Sequence, residues 1–412
     1  MNHEPEATTC CIVGAGPAGM MLGLLLARAG VHVTVLEKHS DFLRDFRGDT
    51  IHPSTIDLIE ELGFLDDLEQ LPHRIARRLR VDANGQWLEV ANLAAVRGRH
   101  RCIYMLPQWD FLELLAEKAS ECPTFVLRKR AEVTGVSMNE GRVAGVTYRT
   151  NGETKRLTAD LTVACDGRSS TLRMLMGARP IDLGAPMDVL WFRVPRHADD
   201  PDETFGVIRP GRMLVLIDRG TYWQAGYLIP KGEYETIRAK GIDQFRANLS
   251  EMVPRFADGR LTHLEDWDRD IRVLVVQVNH LRRWYYPGLL VIGDAAHAMS
   301  PIGGVGINLA LQDAVAAANI LAGPLLRRRV TTFDLMRVQA RRAPAAMLTQ
   351  LLQLGVQQRL IRRVLGARSI RTPRFVAGLL GLRAVRALVA RTIGTGVRPE
   401  RWRGANRSEA PH

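Results

Sequence analysis

The sequence is poor in cysteine, with five in 412 residues and no pair in a C-x-x-C spacing. Neither a disulfide framework nor a zinc knuckle is therefore indicated. We expect a reducing, cytoplasmic compartment for this protein. The cysteines are Cys10, Cys11, Cys102, Cys122 and Cys165.

The sequence also lacks a long unbroken apolar run. Residues 10–27 carry no charge, which approaches the length of a membrane span, but Gly14, Gly16, Pro17 and Gly19 interrupt them in the middle. Residues 1–9 are polar and lack the basic region of a secretory signal. Residues 10–27 therefore predict a buried strand followed by a buried helix.

Acidic residues are scarce in the last fifth of the chain. Residues 326–412 contain 19 arginines against Asp334, Glu400 and Glu409, and the net charge of +12 arises there. No stacking-aromatic motif accompanies the arginines, so we expect no nucleic-acid partner. Helical spacing over 333–395 favours packing on the same protein, and peripheral membrane contact through this segment is the alternative.

A β-α-β unit opens the chain, with strands over 9–14 and 31–37 around a helix over 17–30. Its turn has the sequence G-x-G-x-x-G, formed by Gly14, Gly16 and Gly19 together with Pro17 and Ala18. Glu37 follows about 20 residues later, where an acid can accept ribose hydroxyls. The glycines let the backbone approach a pyrophosphate at a helix N-terminus, so the unit predicts a dinucleotide site that fits FAD or NAD.

A second motif begins at the end of the strand over 289–293. Asp294 follows Gly293 there, and glycines then lead into a helix predicted over 306–322. An acid at a strand end can bond a polyol hydroxyl, and bare backbone N–H groups at a helix N-terminus suit an electron-rich ring edge. This pairing fits the ribitol and ring of a flavin, and thus favours FAD.

A third motif, Asp166-Gly167 followed by Arg173, also comes directly after a strand. Taken alone it is an Asp-Gly turn with a basic residue nearby. With all three motifs in this order, the sequence resembles the class A flavoprotein monooxygenases, the group of para-hydroxybenzoate hydroxylase, over residues 8 to 325. Ala225 and Tyr227 replace the tryptophans of the halogenase W-x-W-x-I-P motif, so halogenation is disfavoured.

The resemblance implies a tightly bound, non-covalent FAD and a transient NAD(P)H reductant. It places Arg47 and Gln108 against the flavin and links Asp166, Gly167 and Arg173 to both nucleotides. The residues predicted to bind cofactor are Gly14, Gly16, Pro17, Ala18, Gly19, Glu37, Lys38, Arg47, Gln108, Asp166, Gly167, Arg173, Gly293, Asp294, Pro301, Gly303, Gly304, Val305, Gly306 and Asn308.

The predicted fold class is α/β, a doubly wound FAD domain with an inserted antiparallel β-sheet substrate domain and a helical C-terminal segment. The FAD domain is expected over 1–70, 101–180 and 277–325. The substrate domain is expected over 71–100 and 181–276, and the basic segment over 326–412.

The resemblance implies hydride transfer from NAD(P)H to the flavin, reaction with O2 to a C4a-hydroperoxide, and oxygen transfer to an aromatic or other electron-rich ring. A dehydrogenase or reductase that uses no O2 is one alternative. A catalytically silent flavoprotein that binds a partner through its basic tail is another. The substrate, a small aromatic or lipophilic molecule, is not identified by the sequence.

Five further residues are candidates for roles in the site. Trp191, Trp223 and Tyr227 are predicted to line a substrate pocket, although aromatics on a sheet usually belong to the core. His52 and His297 are candidate catalytic bases, although ordering of the backbone is the commoner role. No metal-ligand cluster is indicated.

Overall fold

The computed structural model describes residues 6–43, 50–96, 98–367 and 383–404, and in the last range the side chains from 386 onward. Up to residue 128 the elements are, in chain order, β1 (Glu6–Val13), α1 (Pro17–Arg28), β2 (Val33–Leu36), β3 (Thr50–Ile51), α2 (Pro53–Glu61), α3 (Leu65–Gln70), β4 (Arg74–Ala76), β5 (Arg78–Ala83), β6 (Gln86–Asn92), β7 (Ile103–Met105), α4 (Gln108–Ser120) and β8 (Phe125–Arg128).

The middle of the chain is mostly β-structure. Its elements are β9 (Glu132–Asn139), β10 (Arg142–Thr150), β11 (Glu153–Ala164), α5 (Thr171–Leu175), β12 (Ile181–Asp182), β13 (Met187–Pro195), β14 (Phe205–Arg209), β15 (Arg212–Asp218), β16 (Tyr222–Pro230), α6 (Tyr234–Arg238), α7 (Ile242–Met252), α8 (Trp267–Asp270) and β17 (Arg272–Leu274).

The last third returns to the first sheet and ends in helices. Its elements are β18 (Asn279–His280), β19 (Tyr285–Tyr286), β20 (Leu289–Val291), β21 (His297–Ala298), α9 (Val305–Leu326), α10 (Thr332–Val356), a π-helical turn (Gln357–Ile361), α11 (Arg362–Leu365) and α12 (Arg383–Gly394).

The first lobe is built on a sheet with strand order β19-β20-β11-β1-β2-β8, to which β10 and β9 are added beside β11. Strands β20, β11, β1, β2 and β8 run parallel, and each is almost entirely apolar where helices cover it. Helices α1, α4 and α9 form a core on one face of this sheet. This is the doubly wound α/β lobe that the sequence predicts.

The second lobe is a seven-stranded sheet with order β17-β13-β16-β15-β14-β5-β6. The Asn84-Gly85 hairpin is confirmed: both residues have positive φ (53° and 85°), as a two-residue turn requires. Neighbouring strands are antiparallel except β14 and β5, which pair in parallel. Helix α7 and the short turns after it cover one face, and the other face points toward the first lobe.

Three of the predicted elements have different boundaries. The helix predicted over 54–68 is divided by Gly63, which adopts φ 81° between α2 and α3. The strands predicted over 153–158 and 160–165 form the single strand β11, which pairs with β10 at its start and with β1 farther along. Because β11 changes partners along its length, its hydropathy pattern changes as well.

The predicted break at Pro344 is wrong, because α10 runs without interruption from Thr332 to Val356. A capping box between Thr331 and Asp334 begins the helix. Side chains of α10 then bond to the first lobe on both sides of the proline, and these contacts offset the lost backbone hydrogen bond. The end predicted at Gly366 is confirmed; the breaks predicted at Pro373 and Gly381 lie outside the described residues.

The basic segment packs on both lobes. Helix α10 contacts α9, and α12 lies against β6, where Arg386 forms an ion pair with Glu89 at 3.0 Å. Part of α10 remains exposed, including Leu351 at 61% and Met347 at 48%. The hydrophobic residues between 347 and 365 therefore divide between the core and the surface.

Among the described residues, one helix is long and apolar enough to cross a membrane, at Ile302–Leu326. Most of it is buried, since α9 packs along α1 in the centre of the first lobe. Its composition is that of a core helix in a globular domain.

Candidate functional site

The three sequence motifs meet at one edge of the first sheet. Val13, Ala164 and Val291 end adjacent parallel strands in matching register, and each motif begins within two residues of one of these positions. Ligands of doubly wound sheets bind at this carboxyl edge. The fold therefore joins segments that lie more than 100 residues apart in the chain.

Glycines allow this close approach. A Cβ on Gly14, whose φ is 98°, would lie 2.5 Å from the carbonyl oxygen of Cys165. A Cβ on Gly19 would lie 2.0 Å from the carbonyl oxygen of Gly14, so helix α1 can begin directly on the turn only with glycine there.

Gly16 differs from these two glycines, since a Cβ there would have no atom within 4 Å. It is the N-cap of α1, and Pro17 takes the first helical position. Ala18 is buried beside Gly293 of the second motif. The open side of Gly16 at a helix N-terminus thus leaves room for the pyrophosphate of FAD.

Glu37 stabilises the same turn. Its carboxylate accepts the backbone N–H of Ala15 at 2.9 Å and that of His39 at 3.0 Å. Its exposure is 8%, whereas Lys38 next to it is exposed. These bonds hold the Glu37 carboxylate beside the glycine turn, where the sequence predicts that it accepts ribose hydroxyls.

Asp294 of the second motif is one-third exposed and pairs with Arg168, whose Nε lies 3.1 Å from Oδ2. Sequence reasoning missed Arg168 as a site residue; its place inside the Asp-Gly motif was the available signal. Its Nη1 is buried with no hydrogen-bond partner among the described residues. A buried donor beside the partly exposed carboxylate of Asp294 fits a ligand rich in hydroxyl groups, such as the ribitol of a flavin.

Asp166 and Arg173 of the third motif have local partners. Asp166 accepts the N–H of Leu172 at 3.2 Å, and burial raises the pKa of its carboxyl group. Arg173 is 7% exposed and donates to the carbonyl oxygens of Ala295 (2.9 Å) and Arg168. Gly167 between them has φ 81°. Arg173 thus fastens the third motif to the second.

The start of α9 supplies the predicted glycine-rich turn after Pro301. Gly303 and Gly304 both adopt left-handed φ values, 77° and 64°. A Cβ on Gly304 would lie 2.4 Å from Oγ1 of Thr50, so this turn also needs glycine. Gly306 faces open space. These bare N–H groups fit the ring edge of a flavin.

Two predicted residues of this helix are buried in the fold. Val305 is 8% exposed and Asn308 is 3% exposed. The side-chain oxygen of Asn308 accepts hydrogen bonds from Ser54 (3.0 Å) and Thr55 (2.7 Å). Asn308 therefore joins α9 to α2.

Both candidate histidines are buried and bonded. Nδ1 of His52 lies 2.6 Å from the carbonyl oxygen of Ile393, and its Nε2 lies 3.2 Å from Oγ1 of Thr50. Burial lowers the pKa of His52. Nε2 of His297 lies 2.5 Å from Asp313, which also binds Arg342 at 2.9 Å. Through these contacts His52 is joined to α12 and His297 to α9.

The predicted substrate aromatics lie on opposite faces of the second sheet. Trp223 and Tyr227 are buried in the cluster covered by α7. Trp191 lies on the face toward the first lobe and shares a cluster with Ile302, beside the glycine-rich turn. A Cβ on Gly226, its cross-strand partner, would lie 2.9 Å from the Trp191 ring, so glycine lets the indole lie flat on the sheet.

Two residues that the resemblance places against the flavin remain, Gln108 and Arg47. Gln108 is the first residue of α4 and is half-buried. Arg47 lies outside the described residues. The sequence indicates no metal site, whereas the structure brings potential ligand atoms of Asp57, Glu60 and His100 within 4.8 Å of one another. Two of these residues are in direct contact, since Nε2 of His100 lies 3.3 Å from Oε2 of Glu60.

Comparisons with known proteins agree with this geometry. The sequence profile of a family described as FAD binding domain matches residues 7–363. A 6-methylpretetramide 4-monooxygenase from Streptomyces rimosus is 34% identical over 341 residues, covering 82% of this chain and 80% of that protein. A p-hydroxybenzoate hydroxylase from Acinetobacter baylyi is 25% identical over 314 residues, covering 74% and 75%.

Solved structures show the same fold. P. aeruginosa PqsL in complex with 2-aminobenzoylacetate superposes with a TM-score of 0.74 at 21% identity, covering 88% of this chain and 99% of that one. The glycine turn at residues 14–19, the glycine-rich turn that follows Pro301 (the flavin loop) and these matches lead to one conclusion: the chain belongs to the class A FAD-dependent monooxygenase family and is an FAD-dependent oxidoreductase.

Proposed function

We propose that the protein is a single-component monooxygenase that hydroxylates an aromatic or other electron-rich ring, using NAD(P)H and O2. The observation that carries this proposal is the position of Trp191 on the sheet face that meets the flavin loop. FAD bound there would accept a hydride from NAD(P)H and supply the reaction with O2 that oxidises the substrate ring. The names of the two relatives support this reaction class.

The chain's own residues would orient the substrate and exclude water. Met213, Val215 and Leu228 surround Trp191 with apolar side chains on the inner face of the sheet. An apolar, aromatic wall favours a flat ring substrate, because rings stack or meet edge-to-face with an indole. Water exclusion matters since a wet site diverts reduced flavin and O2 to hydrogen peroxide.

NAD(P)H would bind transiently, because only one G-x-G-x-x-G turn is present in the sequence. Asp166 and Arg173 were assigned to both nucleotides by resemblance, and their local hydrogen bonds favour a supporting role at this point. Arg168 is the basic side chain of the motif that touches Asp294, and we assign it to the FAD side.

The test is a substrate screen on the purified holoprotein that records NAD(P)H oxidation, O2 uptake and product mass together. Substrate-dependent oxidation with O2 uptake and a product heavier by one oxygen atom supports the proposal. Substrate oxidation without O2 uptake would indicate a dehydrogenase, and no turnover with any ring compound would indicate a silent flavoprotein. Chromatography of the released cofactor should give FAD, and FMN alone would contradict the adenosine site at Glu37.

Two matched variants locate the substrate region. Trp191→Leu should lower kcat/KM by about tenfold or more, since it removes the aromatic wall beside the flavin loop. Tyr227→Phe should leave turnover unchanged, because Tyr227 lies on the opposite, covered face. Equal effects of the two variants would show that the inner face does not hold the substrate.

A further inference from the structure

One cavity lies apart from the inner face of the seven-stranded sheet. It has a volume of about 240 Å³ and lies between the β18–β21 strand pair and helix α10. The residues that matter for the argument are His280, Trp284, His297, Ala343, Ala346 and Gln350, all of which line it. A dry cavity of about 150 Å³ is enough for benzene, so one small ring fits here.

Three polar atoms in this cavity have no hydrogen-bond partner within the part of the chain that the structure describes. They are Nδ1 of His280, Nδ1 of His297 and Oε1 of Gln350. His297 and Gln350 are each 1% exposed. His280 and His297 are directly opposed on the antiparallel β18–β21 pair, so their side chains share one face. Buried polar atoms are rarely left unpaired, which indicates a bound molecule.

The local hydrogen bonds define what these atoms can do. Nε2 of His297 lies 2.5 Å from Oδ2 of Asp313, whose other oxygen binds Arg342, so Nδ1 is the ring nitrogen left to meet a ligand. The amide nitrogen of Gln350 donates to the carbonyl oxygens of Asn279 (2.8 Å) and Ala298 (3.0 Å), so Oε1 is left as an acceptor. The cavity thus presents one amide oxygen and two imidazole nitrogens, which hydroxyl groups can meet because a hydroxyl both donates and accepts.

The rest of the wall is apolar. Trp284 is 2% exposed and its ring lies 4.9 Å from that of His297, measured between centroids. Ala346 is 1% exposed, and Ala343 and Met347 continue the wall along α10. A flat carbon ring that carries two O–H groups matches both the apolar wall and the unpaired polar atoms.

We propose that this cavity is a binding site for a small dihydroxylated aromatic molecule, distinct from the substrate region. The carboxylate of Asp313 is hydrogen-bonded to Nε2 of His297 and also accepts the backbone N–H of Gly293, at 3.2 Å. A ligand that fixes His297 therefore steadies the loop that carries Asp294. Occupancy is coupled to retention of FAD, and this coupling does not depend on the reaction that the flavin performs.

The experiment titrates FAD-loaded protein with resorcinol and with 1,3-dimethoxybenzene, which has no donor. Calorimetry should show saturable resorcinol binding, at least tenfold tighter than binding of the dimethoxy compound. Release of FAD, followed by flavin fluorescence, should slow by about fivefold at saturating resorcinol, which is within the usual range of coupling between sites.

Three variants assign the signal to this cavity. Ala343→Leu fills it and should weaken resorcinol binding at least tenfold, whereas Ala340→Leu on the exposed side of the same helix should not. Trp191→Leu, in the substrate region, should leave it unchanged. Absence of saturable binding, or equal binding to Ala343→Leu and wild type, would overturn the proposal and leave ordered water as the occupant. Failure of the monooxygenase assay would not affect this result, since no turnover is measured.

Discussion

Replacing Arg342 by methionine is expected to lower the free energy of unfolding by about 3 kcal/mol. Arg342 and Asp313 are both fully buried, and Nε of the arginine lies 2.9 Å from Oδ1 of the aspartate. Arg342 also bonds to the carbonyl oxygen of Arg398 and contacts Glu400 at 3.4 Å. Removing one partner of a buried ion pair costs about 3–5 kcal/mol. Asp313 would keep its bond to His297, so we expect the lower end of this range.

Urea denaturation of the FAD-free protein, followed by circular dichroism, measures this loss. Arg337→Met on the same helix is the matched control: its partner Asp334 is 3.7 Å away and Arg337 is 55% exposed, so less than about 0.5 kcal/mol should be lost. Adding Asp313→Asn to Arg342→Met removes both charges and should restore part of the stability. A loss for Arg342→Met within about 1 kcal/mol of the Arg337→Met value would refute the reasoning.

Three other predictions concern the cofactor turn, acid stability and the basic segment. Gly19→Ala should destabilise the FAD-free protein, because the added Cβ clashes with the carbonyl oxygen of Gly14, while Gly16→Ala should weaken only FAD affinity. Equilibrium unfolding and flavin titration separate the two effects, and equal unfolding curves for the two variants would contradict the clash. Burial raises the pKa of Asp313, but the paired His297 and Arg342 outweigh this effect and hold the pKa below its usual 3.8. The contribution of Asp313 to the free energy of unfolding is therefore present above pH 3.8 and is lost as the pH falls through the lower pKa of the folded state. Asp313→Asn should make stability less dependent on pH below about pH 4, as measured by urea midpoints, and an unchanged pH dependence would argue against this assignment. Truncation after residue 325 removes α10 and should yield insoluble protein in a sedimentation assay, whereas a soluble, yellow product would show that the helix is dispensable.

The cofactor segments could be predicted because their requirements are local. A glycine turn between a strand and a helix, or an acid at a strand end, is visible within about ten residues of sequence. Gly14 and Gly304 each approach backbone or side chains from distant parts of the chain, yet the need for glycine is already visible at each position. The resemblance to the family depended on the same local signals.

The long-range contacts could not be predicted in this way. Arg168 pairs with Asp294 across 126 residues, and nothing near either residue indicates the other. Alternation along β13 and β16 separates odd from even positions but does not show which set faces the flavin loop. Trp191 and Tyr227 therefore seemed equivalent, and only the pairing of Trp191 with Gly226 places them on opposite faces.

The contact between His52 and the carbonyl oxygen of Ile393 spans 341 residues of chain. During synthesis at about 5–20 residues per second, roughly 17–70 s pass after His52 is made before its partner exists. The nascent strands and first helix must wait through this interval with their apolar surfaces only partly covered. Flavin capture by a growing chain is thus expected to wait until the segment around Ile393 has been made, and chaperone supply during that interval becomes a determinant of how much holoprotein a cell obtains.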